Sequence, residues 1–148
     1  MALDKGLSAR LVIVGNADNF RTADSSISEE ISKMPANTVE FTGRISDSEL
    51  KHYYQKANLL IQPSLYEGFG MPPMEALKLG TNCIISDIPV FKEIYENLPV
   101  IFFKTQDSSD LANKIIENFN KQKPEFDNTL YSFEKTYNII NSSFQGNK

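Results

Sequence analysis

The sequence has 148 residues, 41% of them hydrophobic and including ten Phe and six Tyr, a composition that describes one folded globular unit rather than a disordered chain. Fifteen Lys and Arg against nineteen Asp and Glu leave a net charge of −4, which excludes a broad basic nucleic-acid surface. One His and one Cys exclude a zinc site of the usual ligand count and an internal disulfide, and no apolar run approaches the length that spans a bilayer.

Five short apolar runs predict strands at Arg10–Val14, Thr38–Thr42, Asn58–Gln62, Asn82–Ser86 and Pro99–Phe103. Most do not alternate with polar residues, the pattern of parallel strands buried on both faces. Between the first two, Ile27, Ile31 and Met34 share one helix face. Ser46-Asp47-Ser48-Glu49 reads as a capping box, followed by Leu50, Tyr53, Tyr54 and Ala57 at helical spacing. Pro72 or Pro73 can open a helix that Gly80 ends, with Met74, Ala76 and Leu77 available for packing. Phe91, Ile94, Tyr95 and Leu98 repeat the spacing after Pro89, and Leu111, Ile115, Ile116 and Phe119 do so after Ser108. Lys121–Asn128, polar and carrying Pro124, reads as a linker before a last stripe of Phe133, Tyr137, Ile140 and Phe144. Residues 1–9 and 145–148 are expected to fray.

Strands alternating with helices imply a Rossmann-like three-layer αβα sandwich around a parallel sheet of about five strands, forming a single domain over residues 1–148. Ligands of such sheets bind beyond the carboxyl ends of the strands. One loop on that edge stands apart, Pro63-Ser64-Leu65-Tyr66-Glu67-Gly68-Phe69-Gly70-Met71. Its two glycines bring backbone close to a ligand, and the helix that follows directs its first amides outward. Amides of Phe69, Gly70 and Met71 could face a phosphate, whereas Pro72 and Pro73 donate nothing. Glu67 and Glu75 flank the glycines, and a carboxylate suits a vicinal diol because it accepts from two neighbouring hydroxyls. Spacing alone leaves a second reading equally open, with Glu75 favouring a helix N-terminus and Glu67 a solvated loop residue.

The run PSLYEGFGMPPMEALKLG, with Glu67 and Glu75 separated by seven residues, resembles the signature of the group 1 glycosyltransferases. VIVG at Val12–Gly15, VEFTGRISDSEL at Val39–Leu50, SDIPVFKEI at Ser86–Ile94 and SFEKTYNII at Ser132–Ile140 are similar to further segments of that family, in its order. The resemblance implies the C-terminal half of a GT-B fold, the donor-binding domain of a retaining enzyme. Such an enzyme moves a hexose from a nucleoside diphosphate sugar to a hydroxyl acceptor in polysaccharide or glycoconjugate biosynthesis. On matching positions it implies that Glu75 binds ribose hydroxyls, that Glu67 holds the donor sugar and acts at the catalytic centre, that Phe69, Gly70 and Met71 meet the diphosphate, and that Gly68 also binds the donor. The main chain at Arg44 and Ile45 would edge the base, and Gly15 would let the first loop pass close to the nucleotide. No metal and no cofactor are expected.

The departures from the family carry expectations too. The N-terminal acceptor domain, and the opening strand and loop that bring Arg and Lys to the diphosphate, are not among these residues. The chain alone is therefore expected to be inactive, and its uncovered apolar surface to favour self-association. Asn82 stands where Pro is common, a change expected to alter only local stiffness. An amino terminus without an apolar signal core points to the cytoplasm, at the inner face of the membrane for a whole enzyme. The alternative is a non-catalytic nucleotide-binding or scaffolding domain of the same fold. Gly15-Asn16-Ala17-Asp18 departs from the dinucleotide fingerprint and argues against an oxidoreductase. His52 and Lys104 are expected to be solvated, Cys83 and Tyr53-Tyr54 to belong to the core.

Overall fold

The computed structural model describes residues 6–15, 29, 31–127, 129, 135, 138 and 142. In chain order these form β1 (Leu11–Ile13), β2 (Val39–Phe41), α1 (Asp47–Lys56), β3 (Leu59–Gln62), α2 (Met71–Lys78), β4 (Asn82–Ser86), α3 (Pro89–Tyr95), β5 (Val100–Phe103) and α4 (Ser108–Asn118). Each strand lies within one of the apolar runs. The helix face expected around Ile27 lies partly outside the described residues, and the stripe Phe133, Tyr137, Ile140 and Phe144 lies wholly outside them.

The described strands β1–β2 and β3–β4–β5 pair in parallel, as the alternation of strands and helices requires. Among the described residues the hydrogen bonds group the five strands as two ladders, β1–β2 and β3–β4–β5. Leu11 pairs with Val39 and Ile13 with Phe41. In the larger ladder β4 is central, with Ile84 opposite both Ile61 and Ile101. Burial on both faces holds fully for β4, where every residue is buried. The outer strands are only partly covered, and Leu11 of β1 is 47% exposed.

Cys83 and Ile85 of β4 pack in one cluster with Tyr54 of α1, Met74, Ala76 and Leu77 of α2, and Phe91 and Tyr95 of α3. Burial of each large apolar side chain contributes about 1.5–3 kcal/mol relative to exposure. Ile84 points to the other face by the strand's two-residue period and stands outside that cluster, as do Phe103 and Ala112. Helix α4 lies against β4 and β5.

The helix ends follow local chemistry. Ser46 caps α1: its Oγ accepts from the Glu49 amide at 3.3 Å, and its own amide donates to Glu49 Oε2 at 2.8 Å. The Ser46 hydroxyl also donates to Glu49 Oε2 at 2.7 Å, and this bond first, with the Ser46 amide second, holds the Glu49 carboxyl below its ordinary pKa. Helix α4 begins where expected, and Asp107 caps it, accepting from the amides of Ser109 and Asp110 at 3.1 and 3.0 Å. That geometry turns Ile116 outward, 37% exposed, while Ala112 and Asn118 face inward.

Residues 121–127 carry no regular structure, yet they are fastened to the sheet. Asn82 Nδ2 donates to the Gln122 carbonyl at 3.2 Å, Lys123 Nζ donates to the Gln55 carbonyl at 2.9 Å, and Phe126 packs against the core. Asn82 therefore does more than alter stiffness. Its amide ties this segment to the first residue of β4, a bond that proline lacks the donor to make.

Cys83 is fully buried beside the Pro73 and Thr81 carbonyls, and burial pushes its thiol up to about 12. At pH 8 the native protein should react with a thiol reagent only as fast as it unfolds, and denaturant should release one reactive thiol. Prompt labelling without denaturant would contradict the packing around β4.

Candidate functional site

Strand β3 ends on Gln62, a polar residue closing an apolar run. Its Nε2 donates to Ser64 Oγ and to Glu67 Oε1, both at 3.0 Å. Ser64 Oγ donates to the same Glu67 oxygen at 2.8 Å, while Ser86 Oγ, at the end of β4, donates to the Ser64 carbonyl at 2.6 Å. Two strand ends thus fix the half-buried Glu67. Its Oε1 takes two hydrogen bonds, and its Oε2 has no partner among the described residues. The solvated-loop reading of this residue does not survive that geometry.

The loop then turns at Gly70, which is buried and left-handed at φ 76° and ψ 67°. A Cβ here would sit 2.3 Å from Cε1 of Phe91, so α3 occupies the space that a side chain would need. Tyr95 donates its hydroxyl to the Gly70 carbonyl, and its ring meets Phe91 edge-on at 5.7 Å. Gly70 is therefore required by internal packing. Gly68 differs: a Cβ there meets nothing within 4 Å. The amides of Gly68, Phe69 and Gly70 find no acceptor among the described residues, and Met71, the first residue of α2, has no intrahelical acceptor. These donors lie just before α2, which carries no side-chain cap.

Glu75 is the fifth residue of α2, beyond the first turn, so attraction to the helix N-terminus does not account for it. Its Oε2 accepts from the Tyr54 hydroxyl at 3.2 Å. Burial pushes the Tyr54 phenol well above its ordinary pKa, and the Glu75 charge adds to that effect. Tyr54 is itself anchored, since its carbonyl accepts from the Thr81 hydroxyl. Tyr54 belongs to the core as expected, but its hydroxyl reaches the site.

The other expected residues follow the smaller ladder. The Gly43 amide donates to the Gly15 carbonyl at 3.0 Å, joining the loops after β1 and β2. Both glycines have positive φ, 143° and 67°. Arg44 is exposed and Ile45 half-buried. Glu67, Gly68, Phe69, Gly70, Met71 and Glu75 form one continuous loop and helix; Gly15, Arg44 and Ile45 form a second group at the carboxyl ends of the other strands. Asp87 and Thr105 close the far side, with the Thr105 amide and hydroxyl donating to Asp87 Oδ1 at 2.8 and 2.6 Å. Those bonds hold the Asp87 carboxyl below its ordinary pKa. Lys104 is solvated, its Nζ 3.8 Å from Asp107. Leu65 and Tyr66 project from the central loop, 64% and 90% exposed. Among the described residues no cluster of three or more His, Cys, Asp or Glu could hold a metal ion, and no helix is long and apolar enough to cross a membrane.

Sequence reasoning missed Gln62, Ser64, Tyr54, Phe91 and Tyr95 as parts of the site. A polar residue closing an apolar strand was a signal for Gln62. Nothing in the spacing marked the two tyrosines, whose rings satisfy the core pattern while their hydroxyls reach elsewhere.

The family model described as "Glycosyl transferases group 1" matches residues 2–132. The O-antigen chain mannosyltransferase RfbU of Salmonella typhimurium (strain LT2) is 51% identical over 59 residues, 40% of this chain and 17% of that protein. Mannosylfructose-phosphate synthase of Agrobacterium fabrum (strain C58) is 25% identical over 121 residues, 78% of this chain and 27% of that protein. The chain thus spans about a quarter or less of these relatives. Sucrose-phosphate synthase from Thermosynechococcus elongatus superposes with a TM-score of 0.71 at 24% identity, over 98% of this chain and 40% of that one. This is a likeness of fold, the Rossmann-like half of a GT-B architecture.

The two loop glycines should separate on substitution. Gly70→Ala meets both a left-handed backbone and the Phe91 ring and should cost roughly 2–4 kcal/mol, read as a lowered denaturation midpoint. Gly68→Ala should stay within about 0.5 kcal/mol of the parent. Equal stability of both variants would contradict the buttress.

Proposed function

The chain belongs to the group 1 glycosyltransferases, and from that premise we propose that it is the donor-binding, C-terminal half of a retaining hexosyltransferase that uses a nucleoside diphosphate sugar. The observation that carries this reading is the shared state of the two carboxylates. Glu67 and Glu75 are each held through one oxygen by neighbouring side chains, and among the described residues each keeps its other oxygen open. A ligand rich in hydroxyls meets acceptors already oriented, so little ordering cost is left at binding. Between them lie amides without acceptors among the described residues, suited to a diphosphate.

In this reading Glu75 accepts from the ribose hydroxyls, and the amides of Gly68, Phe69, Gly70 and Met71 face the diphosphate. Glu67 Oε2 accepts from hydroxyls of the sugar. The main chain at Arg44 and Ile45 edges the base, and Gly15 gives the first loop room beside it. Transfer with retention proceeds by attack of the acceptor oxygen on the anomeric carbon from the face that the diphosphate leaves. The bond to the diphosphate oxygen breaks, and that oxygen takes the acceptor's proton. Glu67 orients the sugar and offsets its developing positive charge rather than forming a bond. Amides and cationic side chains of the whole enzyme balance the diphosphate, and no metal enters the scheme. The mannosyltransferases among the relatives support a role in polysaccharide or glycoconjugate assembly, and with it a cytoplasmic setting at the inner membrane face. The acceptor belongs to an N-terminal domain, so these residues alone bind donor without turning it over.

Calorimetry with UDP, GDP and ADP and their sugars tests the reading. Binding to one base series is expected, weakened about tenfold or more by Glu75→Gln, with no sugar transfer by the chain alone. A folded sample that binds none of them at millimolar concentration would remove the proposal.

A further inference from the structure

Tyr54 stands out among the buried groups that the scheme above does not use. Its ring lies in the core cluster with Leu77 and Cys83, and its carbonyl is held by the Thr81 hydroxyl at the entry to β4. Its hydroxyl leaves that apolar setting to meet Glu75 Oε2 at 3.2 Å. A buried phenol needs a partner, and a carboxylate partly withdrawn from water needs a donor. Here each satisfies the other across the α1–α2 contact. Because burial and the nearby negative charge raise the Tyr54 pKa, the phenol stays protonated, and so stays a donor, throughout the physiological range.

We propose that Tyr54 is the positioning residue of the nucleoside site, fixing the Glu75 carboxylate so that its second oxygen is presented to a vicinal diol. The inference rests on the donor-binding reading of Glu75 and goes beyond it by assigning the ribose preference to a residue that does not touch the ligand. A carboxylate on a free side chain samples several rotamers and must be ordered when ligand arrives. One already bound to Tyr54 has that ordering done. Loss of the hydroxyl should therefore weaken recognition of the diol and leave recognition of the diphosphate unchanged.

Tyr54→Phe keeps the ring and removes only the hydroxyl. Binding of UDP, GDP and ADP, their 2′,3′-dideoxy counterparts and inorganic pyrophosphate would be measured by calorimetry on the parent chain and the variant. The nucleotide that binds the parent should bind Tyr54→Phe about five- to tenfold more weakly, while its dideoxy counterpart and pyrophosphate bind both proteins equally. Continued protection of Cys83 from thiol reagents shows that the core is intact. The penalty of Tyr54→Phe should also vanish in a Glu75→Gln background, since the two side chains act through one bond. Tyr54→Met, which also removes the hydroxyl and refills the core space with a flexible apolar side chain, carries the same three-ligand comparison if Tyr54→Phe folds poorly. An unchanged affinity, an equal loss for all three ligand types, or a penalty that persists beside Glu75→Gln would overturn the role of Tyr54. Failure of the parent to bind any nucleotide would overturn the donor reading with it.

Discussion

The left-handed turn at Gly70 governs where everything beyond it points. Its dihedral angles set the direction in which α2 leaves the loop, and α2 in turn places Glu75 against α1. The turn is locked from below by Phe91, whose ring fills the space under the glycine, and by the Tyr95 hydroxyl on its carbonyl. Neither contact is local in sequence. A helix two elements further along the chain therefore decides the geometry of the loop, and an isolated loop peptide would not hold it.

Polar residues at the ends of apolar strands do the rest. Gln62, Ser64 and Ser86 gather around Glu67 at the carboxyl ends of β3 and β4, while Thr81 and Asn82 fasten the opposite end of β4. Among the described residues no buried side-chain nitrogen or oxygen lacks a partner. Satisfied polar groups at low dielectric hold their geometry well, because breaking any one bond strands a desolvated atom. That is the physical basis for two carboxylates already in place before a ligand arrives.

Much of this architecture was legible in the residues. β4 occupies Asn82–Ser86, the bounds that its apolar run predicts, because a central strand covered on both faces leaves a continuous signal. The Ser46 capping box was equally readable, being made of residues three apart. Contacts between distant segments were not readable. Gly70 suggested a close ligand approach, whereas the atoms that crowd it belong to Phe91. The apolar spacing did not mark Asp107 as the cap of α4, where its carboxylate reaches two amides at once. Asn82 carried no hint of its grip on residues 121–122, because a side-chain amide bonds backbone wherever the chain returns. Tyr54 read as apolar bulk, and its ring behaves that way; only its terminal atom belongs to the site.

The strap formed by residues 121–127 divides the labour of the sheet. Asn82 and Lys123 secure it at the end of the strands remote from the central loop. Sequence drift along that border would alter endurance to heat while leaving the loop between Glu67 and Glu75 untouched, and exchange of the opposite loops would do the reverse. A scaffold partitioned in this way can change the residues around its candidate site without first renegotiating how it holds itself together.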